Sequence, residues 1–161
     1  MCWLGSDAEA KGRIADKDIT VYKVMVKRRI INKGWELFSP FKDMKYELYQ
    51  RYESVIRPIK PLTTNIIEQG LHCYSEDCYI ASTNDSNMFV FHRYVDTTSL
   101  GSYYAFGDAQ YPVLCEGVIP KGTKYYINDG GEIVTEKLIL ERYINVDKIC
   151  NKIIMKKINF D

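Results

Sequence analysis

The last third of the chain most constrains its fold. The run Lys124–Ile127 (KYYI) leads into Asn128-Asp129-Gly130-Gly131 and then into residues 132–140 (EIVTEKLIL). Tyr, Ile and Val suit a pleated, half-buried surface, while Asn, Asp and Gly accept the positive φ of a tight connection. This pattern predicts a strand, a hairpin turn and a returning strand. Upstream, residues 111–119 read as another strand with Pro112 near its start. Pro120-Lys121-Gly122-Thr123 is the turn between them. A meander of this kind must bury one face of an antiparallel sheet.

Residues 18–26 (DITVYKVMV) predict an earlier strand. Ile19, Val21, Lys23 and Met25 fall on one side, and Thr20, Tyr22, Val24 and Val26 on the other. Both sides are largely apolar, which places the strand centrally in a sheet. Lys33-Gly34 marks a turn after it. Residues 1–17 are polar and predict a loose arm or short helix.

Helical signals come between these blocks. Ser39-Pro40 fits an N-cap and first helical position, and Phe41, Met44, Leu48, Tyr52 and Val55 recur at helical spacing. Tyr46 and Leu48 also fit strand alternation. Pro58 and Pro61 force an extended connection. NIIEQ (65–69) reads as a short helical turn stopped by Gly70, and residues 71–74 as a short strand. A further short helix is expected from Ser75 through Ala81, helix or strand over 88–95, and a long exposed loop over 96–110. Residues 144–160 read as a final helix or strand. The expected fold is a single α+β domain over 1–161, with a mainly antiparallel sheet and a few short helices.

Composition excludes little. The 161 residues carry a formal net charge of +1, whereas a protein that neutralises nucleic-acid phosphates usually shows a larger basic excess. The clearest basic cluster, Lys27-Arg28-Arg29, reads as a solvated face. There is no apolar stretch of signal-peptide length and no run of 18 apolar residues. The five cysteines read as free thiols in a reducing cytoplasm. The thirteen tyrosines are spread over the whole chain, which suits half-buried strands.

GLHCYSEDCY (70–79) concentrates candidate chemistry. Cys73 and Cys78 lack zinc-knuckle spacing and have no second pair, so no metal site is expected. A cysteine nucleophile needs a base within reach; His92 is the candidate for Cys73 or Cys78, though sequence spacing does not bring it there, and a small core residue is the plainer role. Strand alternation turns Leu71 and Cys73 toward the core and sends His72 and Tyr74 the other way together. Glu132 and Glu136 lie four apart on one predicted strand face.

The stretches GLHCY, ITVYKV (19–24) and VLCEGVIPKGTKYYINDGGEIVTEKLIL (113–140) resemble a group of small proteins of gut Bacteroidales and their phages. That resemblance implies a bacterial or phage accessory protein and brings no established activity with it. The order of VYK, IIEQGL and a late strand pair with a glutamate is also similar to ADP-ribosyltransferase-like folds. That likeness implies Lys23 at a first core-strand position, Tyr74 or Ser75 at a second, and Glu132 or Glu136 at a third. Lys23 departs from the His or Arg of that pattern.

Two readings follow. One is a non-enzymatic binding module for a small molecule or host protein, docking near residues 70–74 and 96–110. The other is a degenerate ADP-ribosyltransferase-like enzyme or nucleotide binder. The candidate ligand-binding residues are His72, Tyr74, Lys23, Glu132 and Glu136, with no cofactor identified and no nucleic-acid or membrane partner expected.

Overall fold

The computed structural model describes residues 3–39, 44–75 and 110–144. The strands are β1 (Trp3–Gly5), β2 (Arg13–Ile14), β3 (Ile19–Ile30), β4 (Gly34–Phe38), β5 (Lys45–Tyr46), β6 (Arg51–Glu53), β7 (Asn65–Ile67), β8 (Leu71–Ser75), β9 (Gln110–Ile119), β10 (Lys124–Ile127), β11 (Glu132–Thr135) and β12 (Lys137–Ile144). Among the described residues the helical content is one 3-10 turn, Glu9–Lys11, so the α+β expectation is corrected to an all-β fold.

Tertiary pairing explains each displaced helix. Tyr46, which fits strand alternation, lies opposite Leu37, and Tyr52, from the helically spaced set, lies opposite Leu138, so this segment forms two short strands whose tyrosine rings meet at 4.5 Å. NIIEQ contributes β7, which pairs with Trp3, Leu4 and Gly5. Isolated helices this short are marginal in water, so a strand partner overrides their local preference. The N-terminal segment is built in rather than loose: Trp3 is fully buried and β2 pairs with β10. The expected elements between residues 76 and 109, and those beyond Ile144, lie outside the described residues.

The main sheet runs β2-β10-β11-β8-β3-β9-β12-β6, with β4 and β5 continuing from the far half of β3. Every pairing in it is antiparallel. The predicted hairpin forms with Ile127 opposite Ile133, and Asn128 closes it by accepting the Glu132 amide at 3.0 Å. The predicted strand 132–140 is broken at Glu136. Its amide donates to the Lys124 carbonyl at 3.1 Å, and its carbonyl accepts the Ser54 amide at 2.8 Å. The two arms of this bent run, β11 and β12, enclose β8, β3 and β9 between them. The sheet therefore curls, and one face closes on a core of Val21, Met25, Leu71, Cys73, Cys115, Ile133, Leu138 and Leu140.

Gly117 allows β9 and β12 to approach at the start of the curl. A Cβ there would sit 2.6 Å from the Ile139 carbonyl oxygen. The outer face is covered in part by β1 and β7. Trp3, Ile56 and Ile67 pack there on Tyr126 and Val134. Gly70 marks the seam at φ +146°, where a Cβ would meet Val134 Cγ1 at 2.3 Å and Ile56 Cγ1 at 3.1 Å. Gly70→Ala is expected to cost about 2–3 kcal/mol through strain and overpacking. Gly122→Ala, at φ +87° with open space around it, should cost about 1 kcal/mol. Parallel thermal melts check the difference.

Candidate functional site

Register fixes where the predicted site residues stand. Glu132 lies opposite Tyr74, Tyr74 opposite Tyr22, and Tyr22 opposite Glu116. Directly paired residues share a face, so these four form one row across β11, β8, β3 and β9. Its centre is closed: Tyr22 and Tyr74 are both buried. The Glu132 carboxyl is held above its usual range by burial, and the Glu132 carbonyl accepts the Trp3 indole N–H at 3.0 Å. His72 stands in the next row, opposite Val134. Its Nε2 lies 3.2 Å from the Glu68 carbonyl oxygen, a local bond across the Gly70 turn. Glu136 sits at the corner between β11 and β12, so the bend removes the shared strand face that four-residue spacing predicts for it and Glu132.

Lys23 faces the opposite way. It belongs to the Val21–Met25 side of β3, which is the core side, and is only 7% exposed. Its ammonium donates to the His72 carbonyl at 2.6 Å and lies 5.8 Å from the Tyr46 ring centroid. Burial pushes its pKa down to about 8, with Cys73 and Cys115 pulling partly back. Burial likewise pushes both thiols up to about 12. Lys23 and the Tyr74–Glu132 pair thus project from opposite faces of the sheet.

A second constellation lies at the far end of β3. There the Lys27 ammonium is 5.9 Å from the Trp35 ring centroid and 4.7 Å from that of Tyr143. Both rings are 45% exposed. Arg29 lies opposite Trp35 across the β3–β4 hairpin, and Lys33 is exposed in its turn. The hairpin turn over Ile31, Asn32 and Lys33 uses positive φ at Asn32 (69°) and Gly34 (81°). The only acid on this hairpin, Glu36, is engaged by Lys45 at 3.3 Å. The result is an exposed patch of two aromatic rings among cations.

Sequence reading placed the basic cluster but not its aromatic partners. Arg29 facing Trp35 follows once Lys33-Gly34 is taken as a hairpin, because the turn fixes the register. Tyr143 comes from a strand more than a hundred residues away, so no local signal marks it.

Among the described residues, no group of three or more His, Cys, Asp or Glu side chains could hold a metal ion. No helix among them is long and apolar enough to cross a membrane. Among the described residues, the fold and the patch together define an antiparallel β structure with an exposed aromatic–cationic surface. No protein-family model, curated protein or solved structure matches the chain.

Proposed function

We propose that this protein is a non-enzymatic binding module that docks an acidic surface of a partner protein through the Lys27–Trp35–Tyr143 patch. The observation carrying the proposal is the placement of one lysine over two half-exposed aromatic rings. Trp, Tyr and Arg dominate the energetic centres of protein interfaces, because they bring large rigid area together with hydrogen-bonding or cationic groups. Arg29 and Lys33 supply the cationic rim, which favours an acidic partner and speeds its encounter. With a net charge of +1 on the whole chain, this basic character is local, unlike that of a protein tracking a phosphate backbone. The motif resemblance to proteins of gut Bacteroidales and their phages supports an accessory role in such a setting. The opposed placement of Lys23 and Tyr74 favours binding over ADP-ribosyl transfer.

The test is a polarisation titration with labelled Asp/Glu-rich peptides that each carry one Phe or Leu anchor. Labelled oligothymidylate and ADP-ribose serve as competitors. Binding should weaken with salt, and Trp35→Ala and Lys27→Glu should each weaken it by at least tenfold, about 1.4 kcal/mol. Affinity unchanged from the unaltered protein in both variants, or displacement by oligothymidylate or ADP-ribose, would contradict the proposal.

A further inference from the structure

The function proposed above does not use the core group around Lys23. β3 runs between β8 and β9, so Lys23 has a cysteine on either side. It lies opposite Cys115 in register, and one step past the Tyr22–Tyr74 pair it comes opposite Cys73. All three are buried: Lys23 at 7%, Cys73 at 1% and Cys115 at 0% exposure. The two thiols cannot pair with each other. Standing two strands apart, they are about 9–10 Å apart by strand spacing, beyond the ~7 Å Cα separation a disulfide can span. Each nevertheless stands on a strand next to that of Lys23 and on the same face of the sheet. The Lys23 ammonium donates to the carbonyl of His72 at 2.6 Å, so the side chain leans toward β8 and toward Cys73 rather than Cys115.

We propose that Lys23 and Cys73 form a reversible covalent crosslink in which one oxygen atom joins Nζ to Sγ, with dioxygen as the oxidant. One thiol, one neutral amine and one dioxygen give the S–O–NH bridge and one water. The S–H bond, one N–H bond and the O–O bond break. One oxygen becomes the bridge, and the other leaves as water with the two released hydrogens. Sulfur and nitrogen each give up two electrons, and dioxygen accepts all four. Two molecules of a dithiol reductant return the four electrons and restore thiol and amine.

Three features favour this chemistry. The strands hold the two residues on one face of the sheet as neighbours, which lowers the entropic cost of bringing their side chains together. The product replaces a buried cation by a neutral link in an apolar core, relieving the desolvation that an ammonium suffers there. Finally, the burial that makes core cysteines inert to polar reagents does not exclude dioxygen, which is small and apolar.

The full chain is held either in air-saturated buffer or anaerobically with reductant, and then compared by intact mass and tryptic mapping. The aerobic protein is expected to gain one oxygen and lose two hydrogens. It should resist trypsin after Lys23, yield a peptide joining Lys23 to Cys73, and revert with dithiothreitol. Lys23→Met and Cys73→Ala should abolish the mass change, whereas Cys115→Ala should keep it. Should Cys73→Ala fail to fold, the peptide map of the unaltered chain decides. An unchanged mass in air, oxygen carried by Cys73 alone with normal cleavage at Lys23, or a link to Cys115 would each overturn the assignment.

Discussion

Trp3→Ala is expected to lower the unfolding free energy by about 4 kcal/mol, within the range for emptying a buried Trp site. Trp3 is fully buried and packs edge-on to Tyr126 with ring centroids 6.1 Å apart. It sits among Ile56, Ile67, Tyr126 and Val134, and its indole N–H holds the Glu132 carbonyl. Removing the ring therefore empties the interface between the small β1–β7 sheet and the curled one. It also leaves the Glu132 carbonyl without that donor. A loss of this size is a large share of the 5–15 kcal/mol typical of a folded domain. Trp3→Phe keeps much of the packing and should cost about 1–2 kcal/mol, mostly the hydrogen bond. Leu4→Ala, one residue on and 52% exposed, should stay within about 0.5 kcal/mol. Urea unfolding of the three variants checks the order. Equal losses for Trp3→Ala and Leu4→Ala would mean that the N-terminal strand is not docked.

Lys23→Met is expected to stabilise the protein at neutral pH, under reducing conditions that keep the thiols free. Burial moves the Lys23 pKa from 10.5 down to about 8, so holding the charged form in the folded state costs about 3 kcal/mol. Met removes that cost and leaves the His72 carbonyl without its donor, a loss of about 1 kcal/mol. The net gain near pH 7 is about 2 kcal/mol. Below about pH 8 the lysine is protonated in both folded and unfolded states, and the penalty is present in full. Between about 8 and 10.5 the unfolded chain binds more protons than the folded one, so wild-type stability recovers as pH rises. Cys73 and Cys115 act in the opposite sense. With thiols raised from 9.0 to about 12, the folded state keeps protons that the unfolded state sheds, and stability falls above about pH 9. Both proteins share that fall, so the difference between them isolates Lys23. It should shrink steadily from pH 8 to 10.5, as followed by urea midpoints; a pH-independent difference would show that Lys23 is not charged and buried as described.

Legibility in the sequence divides by the range of the interaction. The hairpin at 128–131 was readable because Asn, Asp and Gly carry the turn chemistry themselves. The central position of β3 followed from two apolar faces, and the alternation of Leu71 and Cys73 against His72 and Tyr74 held. Local spacing could not see that Tyr46 and Tyr52 would find Leu37 and Leu138, or that NIIEQ would find Trp3. In those places a remote partner converted a helical pattern into strands, and the α+β reading failed with it. The break at Glu136 was also hidden, since it depends on Lys124 and Ser54. For the site, the same side-chain alternation that put Lys23 beside Val21 and Met25 already implied a core position. Its functional assignment came from motif order, which carries no facing information. The patch escaped because its two rings come from β4 and β12.

Hydrogen exchange of the protein with and without a bound acidic peptide tests the binding surface most directly. Protection is predicted to rise over residues 27–37 and 142–144, at the strands carrying Lys27, Trp35 and Tyr143. Protection confined to residues 68–75, around His72 and Tyr74, would contradict the proposed surface.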